Sequence, residues 1–423
     1  AHAGLPRPAS AGVSSSFSSA SIARCCDRAA ANGHIAGPRM AARWSHLGAL
    51  VSVACLTAST EGLGIKAVAG KAQSVVSFFN VNFVAPRLTP LEFLIVSSPT
   101  ERKIVYTQLK NFKTNTGRTY ALVDAGLKEP CGIAFDRRSG GLYVADRQAK
   151  AIYRYRITVK KEAGLDPNGD PQWSLATDGI QLPVLQDTQV EWVTVDVNGD
   201  VFYSDKGSKS INRIPVFVID ALAHGDQQRA MSLAAEARKL FFKKAPSATV
   251  VTSPYALPIY LGSINPHVTV PAGLASDGMR LYWANSESGR ESGAVAMGEV
   301  DPHVPANLPA GVQRPPFPSF AVANNTNKGF GVAKSANMVF FSSSDQGRGV
   351  VYGVMDGEYP VLAEFATGLM SPRGLAWDGD QTLFVADEAG DTVYSFPVGR
   401  MTGDAPLAKS AQLRGAFGVA IFS

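Results

Sequence analysis

Gly132-Ile-Ala-Phe-Asp136, Leu142-Tyr-Val-Ala-Asp146 and Ile152-Tyr-Arg-Tyr155 are three short runs of apolar, β-branched and aromatic residues separated by turn-forming stretches. Runs of this kind read as consecutive strands, because such side chains fit a pleated, half-buried surface. The three-part unit recurs. Trp192-Val-Thr-Val-Asp196 leads to Val201-Phe-Tyr-Ser-Asp205 and Ile211-Asn-Arg-Ile214. Gly273-Leu-Ala-Ser-Asp277 leads to Leu281-Tyr-Trp-Ala-Asn285 and Ala294-Val295. Gly331-Val-Ala-Lys-Ser335 leads to Val339-Phe-Phe-Ser-Ser343 and Val350-Val-Tyr352. Gly374-Leu-Ala-Trp-Asp378 leads to Leu383-Phe-Val-Ala-Asp387 and Val393-Tyr-Ser-Phe396.

A sixth copy is split across the chain. Gly418-Val-Ala-Ile-Phe422 is a first strand with nothing after it, and Phe93-Leu-Ile-Val-Ser-Ser98 with Ile104-Val-Tyr106 is a second and third strand lacking a first. One four-stranded sheet cannot bury both of its faces, whereas sheets packed radially can. The repeat therefore predicts an all-β fold over residues 91–423: a six-bladed β-propeller of four-stranded antiparallel blades, closed by a blade shared between the termini. Outer fourth strands are expected at Tyr120–Val123, Leu182–Leu185, Thr249–Thr252 and Pro360–Ala363. Two stretches interrupt the period. Lys160–Gln181 contains Asp166-Pro-Asn-Gly-Asp170, which reads as a polar turn, because a calcium loop would need glycine where Pro171 stands and glutamate where Thr177 stands. Residues 220–245 read as a helical insertion, helical from Gln227 with Asp226 as N-cap. It serves either to pack on its own blade or as a lid or docking element.

Composition bounds the function. The 423 residues are 45% apolar with 40 glycines and 26 prolines, which suits a globular core of many short strands. The net charge of +5 is concentrated in residues 1–59, whose five arginines face one acid, so the remainder is nearly neutral and offers no footprint for nucleic acid. Cys131 is the one cysteine outside the first 59 residues, so neither an internal disulfide nor a cysteine metal site is expected there. No phosphate loop, nucleophile elbow or dinucleotide fingerprint occurs.

Met40 opens a segment with Arg43, the apolar stretch Leu47–Ala58 and the small residues Thr57-Ala-Ser-Thr60. It reads as a secretory signal, too short for a membrane span of about 20 residues. The expectation is a mature chain with no membrane span, in the secretory pathway or outside the cell. Residues 1–39 are either upstream sequence or an organelle-targeting extension, and 60–90 form an N-terminal extension.

The repeat resembles the six-bladed propellers of the NHL-repeat, LDL-receptor YWTD and gluconolactonase/senescence-marker-protein families. Leu281-Tyr-Trp-Ala-Asn285 is similar to the YWTD signature, and Leu142-Tyr-Val-Ala-Asp146 and Leu383-Phe-Val-Ala-Asp387 are more NHL-like. The gluconolactonase resemblance implies metal ligands just before the repeat's glycine, at the tunnel mouth. Here those positions hold Cys131, Glu191, Ala272, Phe330, Arg373 and Phe417. Only Glu191 is a hard oxygen ligand, whereas calcium wants six to eight oxygens, so no cofactor is expected, calcium being the alternative. Glu191 and Arg373 fall on opposite blades, which suggests either an ion pair across the mouth or a small polar-aromatic pocket with Phe330 and Phe417. The expected function is a non-catalytic binding or scaffold propeller for a protein or small polar ligand. The alternatives are a gluconolactonase-like hydrolase with a diverged site and a sugar- or small-ligand sensor using the mouth. The recurrent aspartates are expected to bond turn amides, Cys131 to be inert, and Asn324-Asn-Thr326 to be a glycosylation sequon.

Overall fold

The computed structural model describes residues 91–109, 119–165, 171–241, 253–289, 293–301, 318–345, 347–355, 361–398 and 406–423. The leader, the 60–90 extension, Asp166–Asp170 and Thr249–Thr252 lie outside the described residues.

The first blade supplies β1 (Glu92–Ser98), β2 (Lys103–Leu109) and β3 (Tyr120–Val123). The second holds β4 (Pro130–Asp136), β5 (Gly141–Asp146), β6 (Ala151–Leu165), β7 (Pro171–Thr177) and β8 (Leu182–Leu185). In the third, β9 (Trp192–Val195), β10 (Val201–Asp205) and β11 (Ser210–Ile214) are followed by helices α1 (Val216–Ala223) and α2 (Gln227–Phe241), then by β12 (Leu257–Leu261). The fourth is β13 (Pro271–Ser276), β14 (Arg280–Asn285), β15 (Ala294–Glu299) and β16 (Ser319–Asn324). The fifth is β17 (Gly329–Lys334), β18 (Met338–Asp345), β19 (Arg348–Met355) and β20 (Leu362–Leu369). The sixth is β21 (Pro372–Trp377), β22 (Thr382–Asp387), β23 (Thr392–Pro397) and β24 (Ala408–Gln412). The last strand, β25 (Val419–Phe422), returns to β1 and gives the first blade the order β25-β1-β2-β3. Phe93 pairs with Phe422 and Val96 with Val419, antiparallel. The result is a six-bladed propeller whose ring is shut by its own two ends.

Period-two alternation explains why every blade is apolar on both faces. In β1, Phe93 and Ile95 pack with Leu142 and Val144 of the second blade, while Leu94 and Val96 pack with Phe384 and Val393 of the sixth. All four β1 residues are fully buried. The glycines of the repeat let neighbouring inner strands approach backbone to backbone. A Cβ at Gly331 would lie 2.2 Å from the carbonyl oxygen of Arg373 in the next blade.

Three features differ from the sequence reading. The outer strand of the third blade is β12, downstream of Thr249–Thr252, because both helices are inserted before it. Helix α1 begins upstream of the expected insertion, at Val216, and overlaps its first residues. Its Val-Phe-Val-Ile start favours strand by propensity, but Val218, Ile219 and Leu222 are buried in one cluster with Tyr143 and Tyr203, and that tertiary burial prevails. Helix α2 begins at Gln227 as expected, with the Arg229 amide donating to the Asp226 carboxylate at 2.9 Å. The third difference is β6, which runs 15 residues and pairs with β7 as a hairpin beyond its blade. Leu175 and Trp173 of β7 pack with Phe93, Tyr106 and Val123 of the first blade. Among the described residues no helix is long and apolar enough to cross a membrane.

Candidate functional site

The residues before the repeat's glycines come together at one end of the ring, and their backbones stitch it. The Gly132 amide donates to the Glu191 carbonyl at 2.8 Å, and the Gly374 amide to the Phe417 carbonyl at 2.9 Å. Two other joints use a serine relay. The Gly331 amide donates to Ser342 Oγ at 2.8 Å, and that hydroxyl donates to the Arg373 carbonyl at 2.6 Å. The Gly418 amide donates to Ser97 Oγ at 2.8 Å, which donates on to the Cys131 carbonyl. Four of the six candidate residues thus have their carbonyls fixed by the preceding blade. The serines stand where other blades carry alanine, as in Ala145 and Ala386.

The motif aspartates fix the same face. Asp146 accepts from the amides of Lys128 (2.7 Å) and Glu129 (2.9 Å), and Asp387 from those of Met370 (2.9 Å) and Ser371 (2.6 Å). At the opposite end Asp136, Asp196, Asp277 and Asp378 each accept from turn amides, among them Arg138, Asn198, Met279 and Asp380. Both sets are structural, as the recurrence implied.

At the ring's centre the side chains form a plug. Trp192 stands where five blades have glycine, and its indole packs on Phe417 with ring centroids 5.0 Å apart. Cys131 and Ala272 are fully buried, Phe417 and Trp192 nearly so, and Phe330 packs against them. Burial pushes the Cys131 thiol well above its ordinary pKa, and the nearby Glu191 carboxylate adds to the effect. The thiol is therefore protonated and shielded, unsuited to nucleophilic chemistry. The predicted residues are assembled, but as a closed surface.

Glu191 and Arg373 do not pair with each other in the described contacts. Glu191 lies 2.5 Å from Lys206 Nζ and 3.5 Å from Arg147 Nη1, and Arg147 also binds Glu129. Arg373 donates through Nε to Glu388 at 2.6 Å, and its guanidinium lies 4.2 Å from the Phe330 ring centroid and 5.8 Å from that of Phe417. Near neighbours win over residues across the ring: Trp192 is in register with Ser204 and Pro372 with Asp387, which sets Lys206 beside Glu191 and Glu388 beside Arg373 within their own blades, while Arg147 reaches Glu191 from the adjacent second blade. The sequence signal was available: Arg147, Lys206 and Glu388 are each the residue directly after the motif aspartate. Calcium does not fit this set. The pre-glycine ring offers one carboxylate, already clamped by two cations, where six to eight oxygens are needed.

Behind the plug, a cavity of about 230 Å3 runs between the inner strands to the turn-side face. At that end Phe135, Val195, Ser276, Lys334 and Trp377 line it and are half-buried. The tunnel is thus blind at the Trp192 end and opens opposite. Asn324 stands exposed at the end of β16.

No protein-family model matches the chain, and no curated protein matches it. Solved structures similar to it include the nidogen/laminin complex, at 14% identity over 78% of this chain and 98% of that one, with a TM-score of 0.49. A putative 6-phosphogluconolactonase from Bacteroides fragilis is similar at 13% identity over 80% of this chain and 100% of that one, with a TM-score of 0.44. A gluconolactonase from Xanthomonas campestris is similar at 12% identity over 68% and 78%, with a TM-score of 0.42. These are likenesses of fold.

Proposed function

We propose that this chain is a non-catalytic binding propeller of the secretory pathway, which holds a partner protein on the face carrying Glu191, Arg373, Phe330 and Phe417. The observation that carries the reading is the plug. Trp192, Phe417 and Cys131 fill the ring's centre at this face and leave no cleft there among the described residues, and the face presents half-buried Phe330 and Arg373 at its centre. Around them stand Glu129, Arg147, Glu191, Lys206 and Glu388, paired and oriented. An aromatic and arginine centre within a charged rim matches the anatomy of protein interfaces, where binding energy concentrates on such anchors. Against a hydrolase stand the Glu191 carboxylate, tied to Lys206 and Arg147, and the buried Cys131 thiol. The secretory placement rests on the Met40–Thr60 pattern, and an exposed Asn324 in its sequon suits that route.

Two measurements test the reading. Calcium or zinc titration should leave the melting temperature unchanged, since a metal that bound only the native state would raise it by mass action. A saturable rise that Glu191→Gln abolishes would overturn the non-catalytic assignment. Cross-linking and mass spectrometry in secretory extracts should recover a partner with the parent chain that Arg373→Glu and Phe330→Asp both lose. A partner bound equally well by the two folded variants would place the interface elsewhere. Amino-terminal sequencing of the mature protein should find cleavage near Thr60.

A further inference from the structure

The tunnel on the opposite face has its own chemistry. Its walls are the edges of the inner strands, and Lys334 is the one charged side chain among those lining it. The ammonium is held at the rim by the carbonyls of Ser335 (2.7 Å) and Ala336 (3.0 Å), and it lies 5.5 Å from the centroid of the Tyr282 ring. The carboxylate beyond that ring, Asp277, accepts from the amides of Met279 and Arg280 and from the Tyr282 hydroxyl. It thus takes three donors of its own blade and also lies near enough to the Lys334 ammonium for the two charges to attract. Phe135 and Trp377 add two aromatic rings to the lining, and Thr194 and Ser276 two hydroxyls.

A second observation concerns the blind end. Trp192 is 5% exposed, and its indole N–H has no acceptor among the described residues; the same holds for the buried indole N–H of Trp377. Both tryptophans line the cavity. Buried donors without acceptors are uncommon, because each forfeits a hydrogen bond it made in water. A cavity that combines one cation, aromatic walls and unsatisfied donors suits a small molecule with an apolar ring and an anionic or acceptor group.

We propose that the tunnel is a binding site, separate from the plugged face and entered from the turn side, for a small aromatic carboxylate. Its carboxylate sits at Lys334 and its ring lies between Phe135 and Trp377. Phenylacetate serves as the probe and 2-phenylethanol as its neutral counterpart, both followed by calorimetry on the folded chain. Phenylacetate should bind saturably at one site. Lys334→Met and Lys334→Gln should each weaken it about tenfold, one factor of ten being about 1.4 kcal/mol. Phenylethanol should bind more weakly than phenylacetate and be indifferent to both substitutions. Arg373→Ala should leave all these affinities unchanged. An azide-bearing phenylacetate should photolabel peptides from β4, β17 or β21, a readout that needs no variant. Absence of phenylacetate binding, parental affinity in both Lys334 variants, loss of binding in Arg373→Ala, or labelling confined to other peptides would each overturn the proposal.

Discussion

Replacing Gly418 with alanine probes the joint where the chain closes on itself. A Cβ there would stand 2.4 Å from the carbonyl oxygen of Cys131, 2.7 Å from Ser97 Oγ and 3.0 Å from the Ile133 nitrogen. Ser97 can rotate away, but the other two atoms are backbone of the neighbouring blade. Relief requires β25 and β4 to separate, and Ser97 then loses the Gly418 amide and the Cys131 carbonyl that it bridges. Overpacking against rigid structure costs about 1–3 kcal/mol. The two buried hydrogen bonds add about 1 kcal/mol each, so the loss should be about 3–5 kcal/mol. Gly379→Ala is the control. That residue has φ +89° but nothing within 4 Å of an added Cβ, so only backbone strain of about 1–2 kcal/mol applies. Urea unfolding of both variants decides the matter. With an m-value of about 3 kcal/mol/M, Gly418→Ala should lower the midpoint by about 1 M or more. A midpoint for Gly418→Ala no lower than that of Gly379→Ala would refute the backbone-contact account of ring closure.

Two further expectations follow from the titrating groups. Cys131 should resist iodoacetamide at about pH 8 in the folded protein and react fully in denaturant, as read by mass mapping of its own peptide; stoichiometric labelling of the native chain would contradict its burial. Asp196 has a native pKa raised by burial and then by the neighbouring Asp200 carboxylate. The folded state therefore binds that proton more tightly, and stability falls as pH rises from the unfolded pKa through the native one. Asp196→Asn keeps an oxygen for the amides of Asn198 and Asp200. It should gain on the parent as pH climbs through that interval, with the difference closing below it; a pH-independent difference would argue against the shift.

Much of the ring was legible because the repeat encodes backbone spacing. Gly132, Gly273, Gly331, Gly374 and Gly418 mark the close approaches of inner strands, and the orphaned Gly418–Phe422 run announced the closure. What escaped depended on side chains meeting through the fold. Reading Trp192 only as a missing glycine hid its role as the plug. Placing Glu191 opposite Arg373 by blade number ignored that Lys206 and Glu388 are nearer, being adjacent in strand register. Helix α1 was hidden because its β-branched residues state a local preference that burial against Tyr143 and Tyr203 overrides. The expectation of an accessible mouth at the pre-glycine end failed for a related reason: three aromatic side chains meeting there fill the space that smaller residues would leave open.

The pairing of β25 with β1 has a consequence for biosynthesis. Ribosomes deliver Phe93–Val96 long before Val419–Phe422, so β1 waits with one edge bare while the blades between them are made. An exposed apolar edge invites pairing with other chains. The β6–β7 hairpin, whose Leu175 and Trp173 lean on the first blade, is made long before the final strand. It can shelter the waiting sheet while the other blades accumulate. A chain cut before Val419 should lose far more than one strand, for it would hold five finished blades and no means of shutting the circle.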